Sequence, residues 1–358
     1  MKSKKDKLTI LIGAVVAAFM FFILYKMFKD SYKDIFDNLA DTNMLIFAGM
    51  VLLGNAYYFI DAFVYYKIIA KDGYDVSYFK CVTIAYMSIF FNVTSFGAGI
   101  KPAQVLYLHK QGIDPGKGCG ITMMPYIFHK TLIVVYAIVL LLINNMFVFD
   151  NFSDTFGYIY AGVGLSVLVI IFMILLCASS WFHKLVCKIL DWTIGRTRFK
   201  DMNENIKIQI GVLRESTIKV IHKPKAWIVL TAINAVKMTC WYIIPAIAIY
   251  AAGGNLGGVT ISEALTVTSL MQLLIGVVPT SGGVGSLEVV FSLLFAAVFG
   301  KITAGSSMIL YRLSTYYVPF LFSVVMMIFV GRDLKKIKKR EKENTPPPKE
   351  LLDFDSIK

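Results

Sequence analysis

Charged side chains inside apolar segments are the residues of this sequence with the most chemistry to offer. They are Lys101, Lys130, Lys237, Glu288 and Arg312. An ionised side chain at the centre of a bilayer costs at least about 2.5–3.5 kcal/mol, so such residues face a cavity or a partner. Four cations against one anion leave positive charge over. We therefore expect a site for an anionic ligand such as a phosphate headgroup, to which the helix beginning after Gly99 adds its dipole.

The same charges also have structural interpretations. Lys101, at the tip of a predicted hairpin, could extend its flexible stem to the interface. Glu288 could pair with Arg312 or with Lys237 only to hold a second hairpin in place. The predicted substrate-binding set nevertheless contains all five charges and Gln104.

Catalytic, metal and cofactor sites are not predicted. Asp61 is expected near the inner end of its helix as an interfacial residue, and His129 is either a proton relay or a hydrogen-bonded core residue. The five cysteines form no CxxC pair, and Gly116-Lys117 lacks the spacing of a nucleotide-binding loop. The net charge of +13 indicates loops facing an anionic leaflet, and we expect no nucleic-acid partner.

Composition decides which elements must position these charges. The chain has 358 residues, of which 57% are hydrophobic and 16% charged, and its mean hydropathy is +0.67. These values exclude a soluble protein and predict an all-α polytopic membrane protein with an uncleaved first helix. The predicted full spans are about 8–28, 42–70, 119–143, 156–178, 226–252 and 304–330. Shorter apolar segments lie at 81–95, 102–111, 262–279 and 286–300.

Loop charges predict how the segments cross the membrane. Three basic segments are expected in the cytoplasm: the N-terminus, the segment 180–225 with ten Lys/Arg against four acids, and the stretch after the last span. The loops 29–41 and 144–155 are expected outside. An odd number of crossings must precede residue 144, so 81–111 is predicted to be a re-entrant hairpin. The segment 262–300 is then a second, opposed hairpin or two short spans, giving about six full spans, or eight.

An internal repeat accompanies this topology. The turn of the first hairpin matches the turn at 280–285 at an offset of 186 residues, and the matching residues are Thr94, Ser95, Gly97 and Gly99. The same offset carries 42–70 onto 228–256 and 119–143 onto 305–329. We predict inverted repeat units at about 42–143 and 228–329 within a membrane domain 1–330, although two unrelated glycine turns would look alike. The tail 331–358 is expected to be basic and disordered.

Two sequence regions resemble a known family. "NVTSFGAGIKPAQVLYL" at 92–108 and "VPTSGGVGSLE" at 278–288 are similar to the signature regions of the lysylphosphatidylglycerol synthase transmembrane family, the flippase-like membrane domain of the multiple peptide resistance factor MprF. The hairpin-turn residues that carry the match are Asn92, Thr94, Ser95, Gly97, Gly99, Pro102, Pro279, Gly282, Gly283 and Gly285. Glu288 completes the second motif.

The resemblance implies a function in lipid transport. The expected activity is movement of an anionic or aminoacylated phospholipid, such as lysylphosphatidylglycerol, between leaflets of a bacterial plasma membrane, with a role in resistance to cationic antimicrobial peptides. Only 28 residues follow Val330, so we expect no synthase activity from the chain itself. One alternative is a membrane subunit that works with a separate aminoacyltransferase. Another is a non-transporting scaffold that docks partners on 180–225. A homo-oligomer, the lipid, the direction and the energy coupling stay open.

Overall fold

The computed structural model describes residues 32–95, 97, 99–153, 156–193, 207, 211, 224–253, 256–277 and 285–344. All regular structure in these ranges is helical. The helices are α1 (Tyr32–Ala40), α2 (Met44–Lys71), α3 (Tyr78–Thr94), α4 (Ile100–Lys110), α5 (Pro115–Ile143), α6 (Asn145–Phe152), α7 (Phe156–Ala178), α8 (Ser180–Thr193), α9 (Pro224–Tyr242), α10 (Ile244–Ala251), α11 (Ile261–Val277), α12 (Ser286–Phe299), α13 (Lys301–Arg312) and α14 (Val318–Asn344). A π-helical segment, Leu313–Tyr317, joins α13 to α14.

Four helical stretches within the described ranges are long and apolar enough to cross a membrane. They are Met44–Lys71, Pro115–Ile143, Ile228–Ala251 and Lys301–Leu334. They confirm four of the six predicted spans as long helices. The fifth, 156–178, forms α7, while 8–28 lies outside the described residues. Two of the long helices begin where a polar side chain caps them: the side-chain Oδ1 of Asn43 accepts the N–H of Leu45, and the Asp114 carboxylate accepts that of Gly116.

The shorter apolar segments form two pairs of packed helices. α3 packs on α4 and α11 packs on α12, and the helix bounds lie within a few residues of the predicted segments. The first pair is antiparallel, since Gln104 of α4 donates to the carbonyl of Ile84 while Gly97 donates to that of Phe91. The 11 residues of α4 rise only about 16 Å, half of a hydrocarbon core.

Three predicted loops and the start of the predicted tail are helical instead. α1 lies within 29–41, α6 within 144–155 and α8 within 180–225. α14 continues to Asn344, so the expectation of disorder from residue 331 was wrong for 331–344. Loop charge indicates the side of a membrane and not the backbone conformation. A short amphipathic helix carries its charges on one face, and the Lys, Glu and Arg residues that end α14 favour helix.

Two pairs of corresponding helices in the predicted units begin at the predicted offset. α4 begins at Ile100 and α12 at Ser286; α5 begins at Pro115 and α13 at Lys301. Both differences, 286 minus 100 and 301 minus 115, are 186 residues. α9 and α10, interrupted at Ile243, occupy the place of the uninterrupted α2.

The two units also contact each other through corresponding elements. α2 packs on α9, α3 packs on α14, and α5 packs on α11. The ring of Phe79 in α3 contacts Phe329 in α14, and Asn144 after α5 donates to Ser262 and Thr266 in α11. The offset carries position 79 to 265 and position 329 to 143. The second contact, which joins Asn144 to Ser262 and Thr266, therefore lies within one helical turn of the positions that correspond to the first.

α2 and α9 run in opposite directions where they meet. Tyr57 of α2 lies against Trp241 of α9, with ring centroids 4.5 Å apart. One turn later in α2, Asp61 contacts Lys237, which is one turn earlier in α9. Position increases along one helix as it decreases along the other, so the first helices of the two units are antiparallel.

Gly54 allows α2 to touch the π-helical segment. A Cβ atom at Gly54 would lie 2.3 Å from the carbonyl oxygen of Ser314. Because that atom belongs to the backbone, Gly54→Ala should force the helices apart and cost about 1–3 kcal/mol of stability. Gly49→Ala in the same helix meets nothing within 4 Å and is the matched control. Unfolding temperatures in detergent should fall for Gly54→Ala only; equal temperatures would contradict the close approach.

Candidate functional site

One buried ion pair joins the first helices of the two units. Lys237 Nζ lies 2.6 Å from Asp61 Oδ1, and the side chains are 1% and 14% exposed. The ammonium group also lies 5.1 Å from the ring centroid of Tyr57. Lys237 is therefore neutralised within the protein. Asp61, expected near the inner end of its helix, is the partner of this buried cation.

A second ion pair holds the start of α12. Arg312 Nη2 lies 2.6 Å from Glu288 Oε1, while Glu288 Oε2 accepts the N–H of Gly285 at 2.7 Å. Gly285 has a φ of +90°, a conformation that side chains with a Cβ rarely adopt. The arginine also stacks on Tyr316, 5.0 Å from its ring centroid. Of the two partners proposed for Glu288, Arg312 is the one with which it forms an ion pair in the structure.

Lys101 and Lys130 meet no carboxylate among the described residues. Lys101 Nζ donates to the carbonyl oxygen of Thr122 at 2.6 Å and lies 5.9 Å from the ring centroid of Tyr126. Lys130 lies 5.8 Å from the same centroid. Two half-buried ammonium groups therefore approach one aromatic ring, and the surplus of positive charge predicted from the sequence is concentrated at α4 and α5.

The arrangement in α5 has a counterpart in the second unit. Tyr126 and Lys130 correspond, at the offset of 186, to Arg312 and Tyr316. Both pairs place a cation near an aromatic ring one helical turn away. The cation and the ring are exchanged, and among the described residues only the second unit supplies a carboxylate to this pair, from Glu288.

Gln104 ties the hairpin together and points away from bulk solvent. Its side chain is fully buried, and its amide nitrogen donates to the carbonyl of Ile84 at 2.9 Å. Its carbonyl oxygen lies 3.4 Å from Lys101 Nζ. Gln104, predicted to bind substrate, therefore holds α4 on α3 and orients Lys101.

The turn before α4 places Lys101 at the start of that helix. Ser95 Oγ donates to the carbonyl of Phe91 at 2.6 Å and accepts the N–H of Gly99 at 2.8 Å. Gly97 has a φ of +85°, and a Cβ on Gly99 would lie 2.6 Å from Ser95 Oγ. The glycines of the first motif thus permit a tight turn. In the second motif, Pro279, Gly282 and Gly283 lie outside the described residues.

An open cavity of about 550 Å³ lies between α4 and α5. Its apolar lining is Pro102, Val105, Leu106, Pro115 and Met123, and its polar lining is Lys101, His109 and Cys119. We call it the α4/α5 groove. A cation beside apolar walls is complementary to an amphiphile that carries an anionic group next to hydrocarbon.

His129 lies close to the ion pair between α2 and α9. Its ring contacts Tyr57 edge-on at 6.3 Å, and its Nδ1 atom is buried with no hydrogen-bond partner in the described structure. The proton-relay interpretation stays a prediction. Across the described ranges, no three His, Cys, Asp or Glu side chains are close enough together to hold a metal ion.

Long apolar helices with charges paired in their interior define a multi-pass helical membrane protein. The sequence model of the lysylphosphatidylglycerol synthase TM region matches residues 9–323. The chain therefore belongs to this family, which confirms the resemblance seen in the two hairpin motifs. No curated protein sequence matches the chain significantly.

Proposed function

We propose that the chain is a lipid translocator that moves an anionic or aminoacylated phospholipid between the leaflets of a bacterial plasma membrane. The observation that carries the proposal is a pair of cations that meet no carboxylate among the described residues: Lys101, which lines the α4/α5 groove, and Lys130, which approaches the same tyrosine ring. The other two deep cations are neutralised by Asp61 and Glu288. Membership in a family described by a lipid product supports a lipid as the ligand.

The proposed architecture is an inverted repeat with two opposed re-entrant hairpins. A two-fold axis that relates the antiparallel helices α2 and α9 must be perpendicular to both of them. If both helices span the membrane, this axis lies in the membrane plane. Units related in this way point in opposite directions. The hairpins α3–α4 and α11–α12 would then enter from opposite sides, within about six full spans. The short α4 supports this arrangement, because it cannot cross the bilayer alone.

The groove suggests how a headgroup would be held. Lys101 already donates to a carbonyl oxygen, and a phosphate would accept from the remaining donors of its ammonium group. Tyr126, near both lysines, is exposed, and Leu106, which lines the groove, is more than half exposed. The acyl chains would stay against apolar side chains while the phosphate meets Lys101. Glu288, bonded to Arg312 and Gly285, would act by holding α12 rather than by touching lipid.

The test is translocation of headgroup-labelled phosphatidylglycerol and lysylphosphatidylglycerol in proteoliposomes. Lys101→Met and Lys130→Met should each slow flipping about tenfold or more, the value of a charge-assisted hydrogen bond lost on the transport path. Lys67→Met is the matched control, since this exposed lysine in α2 lies over Phe63 and away from the groove. If neither lipid is translocated faster in proteoliposomes with the wild-type protein than in empty liposomes, phosphatidylglycerol transport is not the function.

A second candidate is the membrane subunit of a lysyltransferase system. The description of the family as a synthase TM region favours it. In that case the protein should co-purify with a soluble aminoacyltransferase. Lysylphosphatidylglycerol should form from lysyl-tRNA only when both are present. Unchanged resistance to cationic peptides in Lys101→Met cells would instead favour a scaffold.

A further inference from the structure

α8 presents an exposed apolar stripe with a tryptophan at each end. Trp181 and Trp192 are 72% and 69% exposed, and Leu185 and Ile189 between them are also exposed. The spacings of four, four and three residues place all of these side chains on one face of the helix. An exposed stripe of this kind on a membrane protein indicates a surface that something apolar covers.

The first turn of α8 contacts the C-terminal half of α7. The ring of Phe182 lies edge-on to that of Phe172, with centroids 5.2 Å apart. Ser179 separates the two helices, and its hydroxyl oxygen accepts the N–H of Phe182 at 3.3 Å. α7 itself exposes apolar side chains along its length, among them Leu168 and Leu175. The stripe of α8 therefore begins where an apolar, lipid-type surface of α7 ends.

Basic residues border the stripe. Lys184 and Lys188 are exposed, and each follows a stripe residue by three positions, which places both at the edge of the apolar face. The segment 180–225 carries ten Lys/Arg against four Asp/Glu. Apolar side chains with tryptophan on one face and lysines beside them are typical of helices that lie in a membrane interface.

We propose that α8 is an in-plane interfacial helix that binds the anionic lipid surface of the protein's own bilayer. The stripe would lie at the boundary between headgroups and acyl chains, and Lys184 and Lys188 would bind lipid phosphates. The charge of the segment and the continuity with α7 favour an anionic lipid surface over a protein partner. This site is separate from the α4/α5 groove and does not depend on the proposed transport.

Tryptophan quenching in nanodiscs tests the apolar part of the proposal. Lipids brominated near the headgroup should quench Trp181 and Trp192 more strongly than lipids brominated near the chain ends. The contribution of this pair is the quenching lost in Trp181→Phe/Trp192→Phe, which leaves Trp227 and Trp241 in place. No loss of quenching in the double variant would show that water, a second copy or another protein covers the stripe, and would overturn the proposal.

Lipid charge tests the basic part. At equal mole fraction, brominated phosphatidylglycerol should quench the pair more than brominated phosphatidylcholine does. Lys184→Gln/Lys188→Gln should abolish this preference and leave quenching by phosphatidylcholine unchanged. Lys301→Gln, at an exposed lysine that begins α13, is the matched control and should keep the preference. A preference that survives loss of both α8 lysines would refute their role, whatever the flipping assay shows.

Discussion

Asp61→Asn should destabilise the protein more than any other single neutralisation in α2. The substitution leaves the ammonium group of Lys237, which is 1% exposed, without its carboxylate. Removal of one partner from a buried ion pair costs about 3–5 kcal/mol, which corresponds to a fall of roughly 4–7 °C in unfolding temperature for a chain of this size. The unfolding temperature is measured by intrinsic fluorescence while the protein is heated in nanodiscs.

The companion variants make this expectation specific. Lys237→Met should cost less than Asp61→Asn, because the carboxylate it leaves behind is 14% exposed and keeps some access to polar surroundings. The double variant should recover most of the loss, since no buried charge then lacks a partner. If the two single effects simply add, the pair does not interact and the assigned contact is wrong.

A surface ion pair provides the matched control. Lys207 and Asp191 also contact each other, but the Asp191 side chain is 53% exposed. Asp191→Asn should therefore change stability by less than about 1 kcal/mol. A comparable loss at both sites would mean that burial does not set the strength of the pair between α2 and α9.

The short helices could be predicted because they are apolar segments of the sequence, and length and parity are two independent arguments for the hairpin prediction at 81–111. Residues 81–111 are too short for two spans, and the loop charges require an odd number of crossings before residue 144. The offset of 186 residues, found in the two turns, also separates the first residues of α4 and α12 and those of α5 and α13. Each of these inferences depends on the number of residues between two positions, and that number can be read directly from a single sequence.

The partners of the deep charges could not be predicted in the same way. Asp61 and Lys237 are 176 residues apart, and nothing local to either position indicates which cation meets which anion. Depth was counted from helix ends, and a depth along one helix does not show which helix Asp61 packs against. Likewise, Gln104 followed Lys101 by one turn, but only the fold shows that its amide bonds Ile84 in α3.

The second large effect is expected at Glu288, the one acidic residue of the family motif that the structure describes. Its carboxylate both accepts the N–H of Gly285 and pairs with Arg312, which is itself buried. Glu288→Gln keeps an acceptor for the N–H but removes the charge opposite the guanidinium. We expect a loss of about 3–5 kcal/mol from the partner left behind, because Arg cannot release its proton.

A charge-balanced variant separates this structural role from transport. Glu288→Gln/Arg312→Gln removes both charges, so stability should return toward that of the wild type. If Glu288 only holds α12, flipping measured in proteoliposomes should return with stability. Recovered stability without recovered flipping would instead show that one of the two charges meets the lipid during translocation. Glu263→Gln, which removes the carboxylate that caps α11 at exposed Thr260, is the matched control and should cost only about 1 kcal/mol without changing the rate of flipping.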